Sequence, residues 1–205
     1  MAKLTLTTFL TLDGIMQAPG APNEDTSGGF THGGWLVPYA DADMGKFMSD
    51  MFTRADAFLL GRGTYQIFAA HWPHVTDPND PIAGPLNQLP KHVASKTLEH
   101  VAWQHSSLVR DVAAEITALK SRYPRELQVH GSAGLAQTLF QHGLVDEFHV
   151  LVYPIVLGTG KRLFSGGEMP AALELVQAHT TSTGVSIATY RRAGRPKYGS
   201  FALDE

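Results

Sequence analysis

Apolar residues recur along the chain at two spacings, one typical of strands and one typical of amphipathic helices. The alternation over residues 4–10 predicts a first strand. Asp43 is a candidate N-cap, and after it apolar side chains recur at intervals of three and four, which marks one face of a helix. The residues on that face are Met44, Phe47, Met48, Met51 and Phe52.

The rest of the chain predicts strands that alternate with helices and end in a hairpin. The glycine- and proline-rich residues 13–34 and the proline-rich residues 73–90 are predicted to be loops. Further strands are expected at residues 55–60, 91–94, 101–103, 127–129, 148–157, 173–178 and 185–190, and further helices at 64–70, 112–119 and 135–140.

This order of elements predicts an α/β fold of three layers. We expect a mostly parallel mixed sheet with helices on both faces and an antiparallel C-terminal hairpin. Ligands of such sheets bind beyond the carboxyl ends of the strands. Two glycine-bearing turns, each between a predicted strand and a predicted helix, lie at such ends.

Composition narrows the class of protein. A chain of 205 residues, 43% of them hydrophobic, is expected to form one domain over residues 1–205. The net charge of -3 argues against a nucleic-acid partner, and the absence of cysteine excludes disulfides and thiolate chemistry. No apolar run is long enough to span a membrane, and the N-terminus does not resemble a signal peptide, so we expect a cytoplasmic protein.

The two turns have the properties of anion-binding sites. Residues 61–65, Gly-Arg-Gly-Thr-Tyr, and residues 130–134, His-Gly-Ser-Ala-Gly, allow the backbone to approach a ligand at the start of a helix. The alternatives are a tight turn with a surface arginine in the first case and close helix-strand packing in the second. Together the two turns suit one dinucleotide better than either does alone.

These motifs resemble those of the reductase domain of riboflavin biosynthesis and, more distantly, of dihydrofolate reductase. Thr11-Leu12-Asp13-Gly14 is similar to the S-L-D-G opening of that superfamily, and Gly61-Arg62-x-Thr64-Tyr65 to its G-R-x-T-[YW] turn. Residues 129–135 resemble its V-x-G-[GS]-A-x-L turn. The matching motifs occur in the expected order from residue 3 to about 192, so the resemblance implies the dihydrofolate-reductase-like fold with a core of that extent.

The resemblance also implies a cofactor, NADPH, and residues that bind it. Arg62 and Thr64 are expected at its phosphates, and Ser95 with Lys96 at its 2'-phosphate, although Lys96 could equally be a solvated surface lysine. Trp35 and Leu36 are expected beside the nicotinamide and the substrate, unless Trp35 is a core aromatic. The pyrophosphate is expected against Gly131, Ser132, Ala133, Gly134 and Leu135.

The candidates for substrate protonation are His130, Asp13 and a carboxylate on the first helix, although Asp13 could equally cap the loop through a side-chain hydrogen bond. That carboxylate is Asp41, Asp43 or Asp50, and we select Asp43. Dihydrofolate reductase uses such a group, whereas the riboflavin reductases carry an acidic residue where this chain has His130. A histidine there implies a different substrate polarity or a titratable partner near neutral pH, and the alternative is a structural histidine bonded to a backbone carbonyl. His71, His74 and His130 lack the spacing of a zinc site, so no metal is expected.

We therefore expect an NADPH-dependent reductase that transfers a hydride to a small pterin-like or pyrimidine-like heterocycle. The riboflavin reductases also have an arginine after the first glycine turn, and residues 68–73 lack it. The resemblance therefore does not imply a phosphorylated substrate. The alternative is a non-catalytic NADP(H)-binding or sensor protein. The resemblance also implies a homodimer.

Overall fold

The computed structural model describes residues 1–166 and 170–201, and the predicted domain extends beyond them to residues 167–169 and 202–205. The strands are β1 (Lys3–Thr11), β2 (Ala55–Gly61), β3 (Lys91–Ala94), β4 (Ser106–Val109), β5 (Glu126–Val129), β6 (Glu147–Tyr153), β7 (Leu173–Thr180) and β8 (Ser186–Arg192). The α-helices are α1 (Ala42–Phe52), α2 (Arg62–His71), α3 (Ala83–Gln88), α4 (Val112–Ser121) and α5 (Ala133–Gln141). Short 3-10 turns lie at Ser27–Gly29, Val37–Tyr39 and Trp72–His74.

The eight strands form one mixed sheet in the order β4-β3-β2-β5-β1-β6-β8-β7. The pairs from β4 across to β6 are parallel, whereas β8 pairs antiparallel with both β6 and β7. The alternation of strands and helices produces this pattern, because a parallel pair needs a crossover and a hairpin does not. The mostly parallel sheet with an antiparallel C-terminal hairpin is confirmed.

Each face of the sheet is covered by its own set of helices. On one face, Leu4, Leu6 and Leu127 pack with Ile116 of α4 and Leu139 of α5. On the other face, side chains of α1, α2 and α3 form a second core with the β2 residues that point to that face. Successive residues of a strand point to opposite faces, so one sequence supplies both cores. The three-layer arrangement is therefore confirmed.

The long loop after β1 is ordered by a third core. Ile15, Phe30 and Trp35 of the loop pack with Leu151 and Tyr153 of β6. This cluster closes the α1 side of the sheet next to the antiparallel strands. No helix in the described part of the chain has both the length and the apolar character needed to cross a membrane.

Three predicted elements were wrong. Residues 73–90 contain α3, because the Asp80 carboxylate accepts hydrogen bonds from the backbone N-H groups of Ile82 and Ala83, both at 2.8 Å, and so caps the helix start. The strand expected at 101–103 is a loop in which Trp103 is buried against Tyr65, and the strand lies at β4. β6 ends at Tyr153 because Pro154 follows and lacks a backbone donor.

Candidate functional site

A cavity of about 1230 Å³ opens at the carboxyl ends of the parallel strands. The loop over residues 16–25 covers one side of it, and α1, α2 and the start of α5 form the other walls. All of the predicted cofactor-binding residues line this cavity: Arg62, Thr64, Ser95, Lys96, Gly131, Ser132, Ala133, Gly134 and Leu135. Sequence positions as far apart as 62 and 135 are thus brought into one site.

The two glycine turns contact each other at the centre of the cavity. A Cβ on Gly61 would lie 3.0 Å from both the Cβ and the backbone N of Ser132 and would overlap the Ser132 hydroxyl. A Cβ on Gly131, whose φ is +98°, would lie 2.8 Å from the Thr64 Oγ1 atom. The Gly131-Ser132 peptide bond is cis. Glycine is needed at both positions because each turn closes against the other.

The helices that start at these turns have no side-chain cap. Neither Gly61 before α2 nor Ser132 before α5 accepts a hydrogen bond from its helix through a side chain. In α1 and α4, by contrast, the Asp41 and Asp111 carboxylates cap the first turn. The starts of α2 and α5 therefore present N-H groups and a positive dipole to the cavity, where an anion can bind them.

Three cations gather at the end of the cavity near β3. The guanidinium of Arg62 donates from Nη1 to the Thr97 hydroxyl at 2.9 Å, and that of Arg110 donates from Nη1 to the Ser95 carbonyl oxygen at 2.9 Å. Lys96 is exposed beside them and also lines the cavity. Arg110 was missed because the strand preceding it was placed at 101–103 instead of β4. It follows β4 directly, so a correct strand assignment would have indicated it.

The other end of the cavity is mainly apolar. Met44, Met48 and Phe52, spaced at i, i+4 and i+8 on α1, form its wall. Thr8 also lines it and is 3% exposed, and its hydroxyl has no hydrogen-bond partner in the described structure. The sequence reasoning missed Thr8. This residue is the polar one at alternate positions along β1 that are otherwise apolar, as at Leu6. Because the Thr8 hydroxyl is itself closed to solvent, its missing partner does not point to a ligand in the cavity.

His130 lies at the inner end of the cavity. Its ring is stacked on Phe52, with the ring centroids 4.9 Å apart and the planes 6° from parallel, and its Nε2 atom lies 3.3 Å from the Gln128 Oε1 atom. Burial, with a smaller effect of His149, lowers the pKa of His130 to about 3. The residue is therefore neutral near pH 7, which does not support the predicted titration near neutrality.

Asp13 contacts the protein rather than the cavity. Its carboxylate accepts hydrogen bonds from the Thr11 hydroxyl at 2.6 Å and from the backbone N-H groups of Leu157 and Gly158 at 3.2 and 2.9 Å. These bonds, that from Thr11 above all, lower the pKa of Asp13. The side chain anchors the loop after β1 to the segment after β6, and it is not among the residues that line the cavity.

The carboxylates of the first helix also point away from the cavity. Asp43 accepts a hydrogen bond from the Ser182 backbone N-H at 3.2 Å, and Asp41 accepts one from the Ser182 hydroxyl at 2.8 Å. Asp50 pairs with Lys46 at the surface. Since the cavity face of α1 carries Met44 and Met48, the selection of Asp43 as a proton donor is not supported by its position.

Trp35 is a core residue and Leu36 is a cavity residue. Trp35 is 5% exposed, and its indole Nε1-H donates to the Gln17 backbone carbonyl at 2.8 Å. Its ring packs edge-on against Tyr153, with centroids 5.2 Å apart. Leu36 lines the cavity beside the loop. Of the two residues expected at the substrate, only Leu36 lines the cavity.

Comparison with known proteins agrees with this architecture. Residues 2–187 match the family model of the RibD C-terminal domain. The chain belongs to this family. It is 27% identical over 194 residues to the Bacillus subtilis protein YyaP, and the match covers 94% of this chain and 96% of YyaP. The family and fold implied by the sequence motifs are confirmed.

Solved structures show how widely the fold of this RibD C-terminal domain chain is shared. A putative riboflavin biosynthesis protein from Shewanella sp. PV-4 superposes with a TM-score of 0.70 at 22% identity, covering 94% of this chain and 99% of that one. Dihydrofolate reductase from Enterococcus faecalis complexed with NADP(H) superposes with a TM-score of 0.59 at 15% identity, covering 93% and 96%. At these identities the likeness shows the dihydrofolate-reductase-like fold alone.

Proposed function

We propose that this RibD C-terminal domain protein is an NADPH-dependent reductase of a small pterin-like or pyrimidine-like heterocycle. The observation that carries the proposal is the extent of the cavity. At about 1230 Å³ it exceeds the roughly 300–1,000 Å³ of ordinary small-molecule pockets. It continues from the glycine turns to His130 and Thr8, so it has room for a second small molecule beside a dinucleotide.

The residues present fit the cofactor. The uncapped starts of α2 and α5 suit the two phosphates of the diphosphate group, and the glycines at 61 and 131 keep the backbone close to it. Arg62, Lys96 and Arg110 suit the 2'-phosphate, which distinguishes NADPH from NADH. When bound, NADPH supplies the hydride. The protein orients the two reactants and excludes water from the apolar end.

The charge contacts can be tested by comparing NADPH with NADH. In the double variant Arg62→Ala/Lys96→Ala, we expect the affinity for NADPH to fall by at least about tenfold and that for NADH by less than about threefold, because a hydrogen bond to a charged group contributes about 1.5–3 kcal/mol. Calorimetric titration measures both.

A matched control is Arg195→Ala/Lys197→Ala, which removes the same charge from two exposed residues near the C-terminus. Its affinities for both cofactors should stay within about twofold of wild type, since exposed charges at a distance are screened. Equal losses for NADPH and NADH in the first variant would contradict the assignment of Arg62 and Lys96 to the 2'-phosphate.

A second candidate function is binding of NADP(H) without catalysis, as in a sensor. The observation in its favour is that Asp13 and Asp43 lie away from the cavity and that His130 is neutral, so none of the three predicted proton donors is poised to donate. This candidate would be excluded by oxidation of NADPH in the presence of pterins, pyrimidines or quinones. The loss of nicotinamide absorbance measures that oxidation. Binding without oxidation by any of them would favour it.

We also propose that the protein is a homodimer in the cytoplasm. All eight residues of the edge strand β7 are exposed, and Leu175 and Val176 are 54% and 53% exposed on opposite faces. An edge strand with exposed apolar side chains suits pairing or packing with a second copy of the chain. Light scattering at micromolar concentration should give twice the chain mass of 22.2 kDa, and a monomer would contradict the dimer.

A further inference from the structure

A row of polar side chains runs beneath α1 from the cavity to the protein surface. Glu126, Gln128 and His130 lie at alternate positions along the path of β5 and so share one face of the sheet. The amide of Gln128 lies between the other two, with its Oε1 atom 3.3 Å from the His130 Nε2 atom and its Nε2 atom 2.7 Å from the Glu126 Oε2 atom. Arg54 closes the row with a 2.8 Å ion pair to Glu126.

The orientation of the Gln128 amide is fixed by its neighbours. Its Nε2 atom also lies 2.8 Å from the backbone carbonyl oxygen of Met51. A carbonyl oxygen can only accept, and a carboxylate paired with arginine also accepts, so both require the NH2 group of the amide. A flipped amide would place its oxygen against both acceptors in a fully buried position. The Gln128 Oε1 atom must therefore face His130.

This orientation determines the tautomer of His130. Because the Gln128 Oε1 atom accepts, the His130 Nε2 atom must carry the proton, and a neutral ring then leaves a lone pair on Nδ1. No described residue hydrogen-bonds to Nδ1, and this atom is not among the buried polar atoms without a partner, so it is open to the cavity that His130 lines.

The surroundings of His130 keep its ring neutral. Phe52 from α1 and Phe58 from β2 cover the ring, and Glu126, further along the row, is paired with Arg54. His149 from β6 also faces the ring, and burial lowers the pKa of both histidines. Glu147 lies 3.7 Å from the Nε2 atom of His149. Protonation would require Nδ1 to become a donor and the ring to carry a charge in an aromatic setting.

We propose that Gln128 holds His130 as a neutral hydrogen-bond acceptor in the cavity, and that this acceptor selects heterocycles with a ring N-H donor. The proposal rests on the proposed reductase function for the identity of the ligand. A heterocycle without that donor would leave the Nδ1 lone pair buried and unpaired, which lowers its affinity. Gln128 is then a positioning residue and His130 a specificity-determining residue.

The tautomer can be measured without any ligand by nitrogen-15 NMR of the histidine rings from pH 5 to 8. The His130 signals are identified by their loss in His130→Gln. We expect Nε2 to be protonated and Nδ1 unprotonated at every pH, and Gln128→Met to give a mixture of tautomers. A proton on Nδ1, or titration within this range, in the wild type would overturn the proposal even if Gln128→Met does not fold.

The selection of ligands can be tested with 5,6-diaminouracil and its N1-methyl and N3-methyl derivatives, each titrated in the presence of NADP⁺. In the wild type, at least one methyl derivative should bind about tenfold more weakly than the parent, which corresponds to one lost hydrogen bond. His130→Phe keeps the stacking on Phe52 and should abolish the difference.

Binding of all three compounds within about twofold in the wild type, or a preference that persists in His130→Phe, would overturn the selection. If none of the three binds, the pyrimidine substrate class of the proposed function is contradicted instead, and the NMR result still decides the role of Gln128.

Discussion

Within residues 1–166 and 170–201, the four helices of eight or more residues begin in two different ways. The first turns of α1 and α4 are capped by Asp41 and Asp111, whereas α2 and α5 begin at Gly61 and Ser132 without a side-chain cap. The uncapped pair meet at the centre of the cavity, and the capped pair are complete without a ligand. Caps are thus absent where a phosphate can replace them, which supports the proposal that the starts of α2 and α5 bind an anion.

The largest expected effect comes from placing a negative charge at one uncapped start. Gly134 is in the first turn of α5, and a Cβ there meets no atom within 4 Å, so Gly134→Asp can be accommodated. We expect the affinity for NADPH to fall by at least about 100-fold, since the juxtaposition of like charges costs several kcal/mol. The free protein should be more stable, because the carboxylate complements the helix dipole.

Gly134→Asn is the matched neutral control for this charge. It has the same shape as the aspartate and should lose much less affinity for NADPH in the same calorimetric titration. Similar losses for both variants would mean that the start of α5 does not face a phosphate.

The contact between the two turns should be intolerant of one added methyl group. Gly61→Ala would force the new Cβ into Ser132, whereas Gly63→Ala, two residues later, meets nothing within 4 Å. We expect Gly61→Ala to lower the free energy of unfolding by about 1–3 kcal/mol through overpacking. Gly63→Ala should raise it by up to about 1 kcal/mol, because alanine is the better helix former. Denaturant unfolding of the free proteins gives both values, and equal stability would refute the close approach.

The smallest effect distinguishes a capped from an uncapped start directly. Asp111→Ala removes the carboxylate that accepts from the Ala114 backbone N-H at 3.1 Å and should lower the free energy of unfolding by about 1 kcal/mol. Ser132→Ala removes no cap and should change it by less than about 0.5 kcal/mol. A cost for Ser132→Ala as large as that for Asp111→Ala, in the same unfolding experiment, would show that Ser132 caps α5 after all.

Much of the fold could be predicted because its signals are local. The repeat of Met44, Met48 and Met51 on α1 and the alternation along β1 each reflect burial on one side of an element. The prediction failed at residues 73–90, where the prolines indicated a loop although the contacts that form a helix there are also local. α3 forms in a proline-rich segment because Asp80 caps it and the buried Lys91 ammonium donates to the carbonyl oxygens of Leu86 and Leu89 at its end.

The residues of the site also fall into those that the sequence could identify and those that it could not. Residues of the glycine turns were predictable because their chemistry is a property of the backbone at a strand-to-helix junction. The sequence left two roles open for Asp13 and for Trp35 and did not indicate that of Asp43, since the direction of these side chains depends on contacts more than 100 residues away, such as those of Asp13 with Gly158 and of Asp43 with Ser182, or on burial, as for Trp35. The low pKa of His130 likewise follows from its burial, which no local pattern indicates.

The dinucleotide site is tested most directly by a crystal structure of the protein with NADP⁺. We expect the diphosphate oxygens within hydrogen-bond distance, about 2.7–3.2 Å, of backbone N-H groups at the starts of both α2 and α5. The 2'-phosphate should lie against Arg62, Lys96 and Arg110, and the nicotinamide should point toward His130. A cofactor bound elsewhere, or a diphosphate that touches neither helix start, would contradict the claim that the two glycine turns form one dinucleotide site.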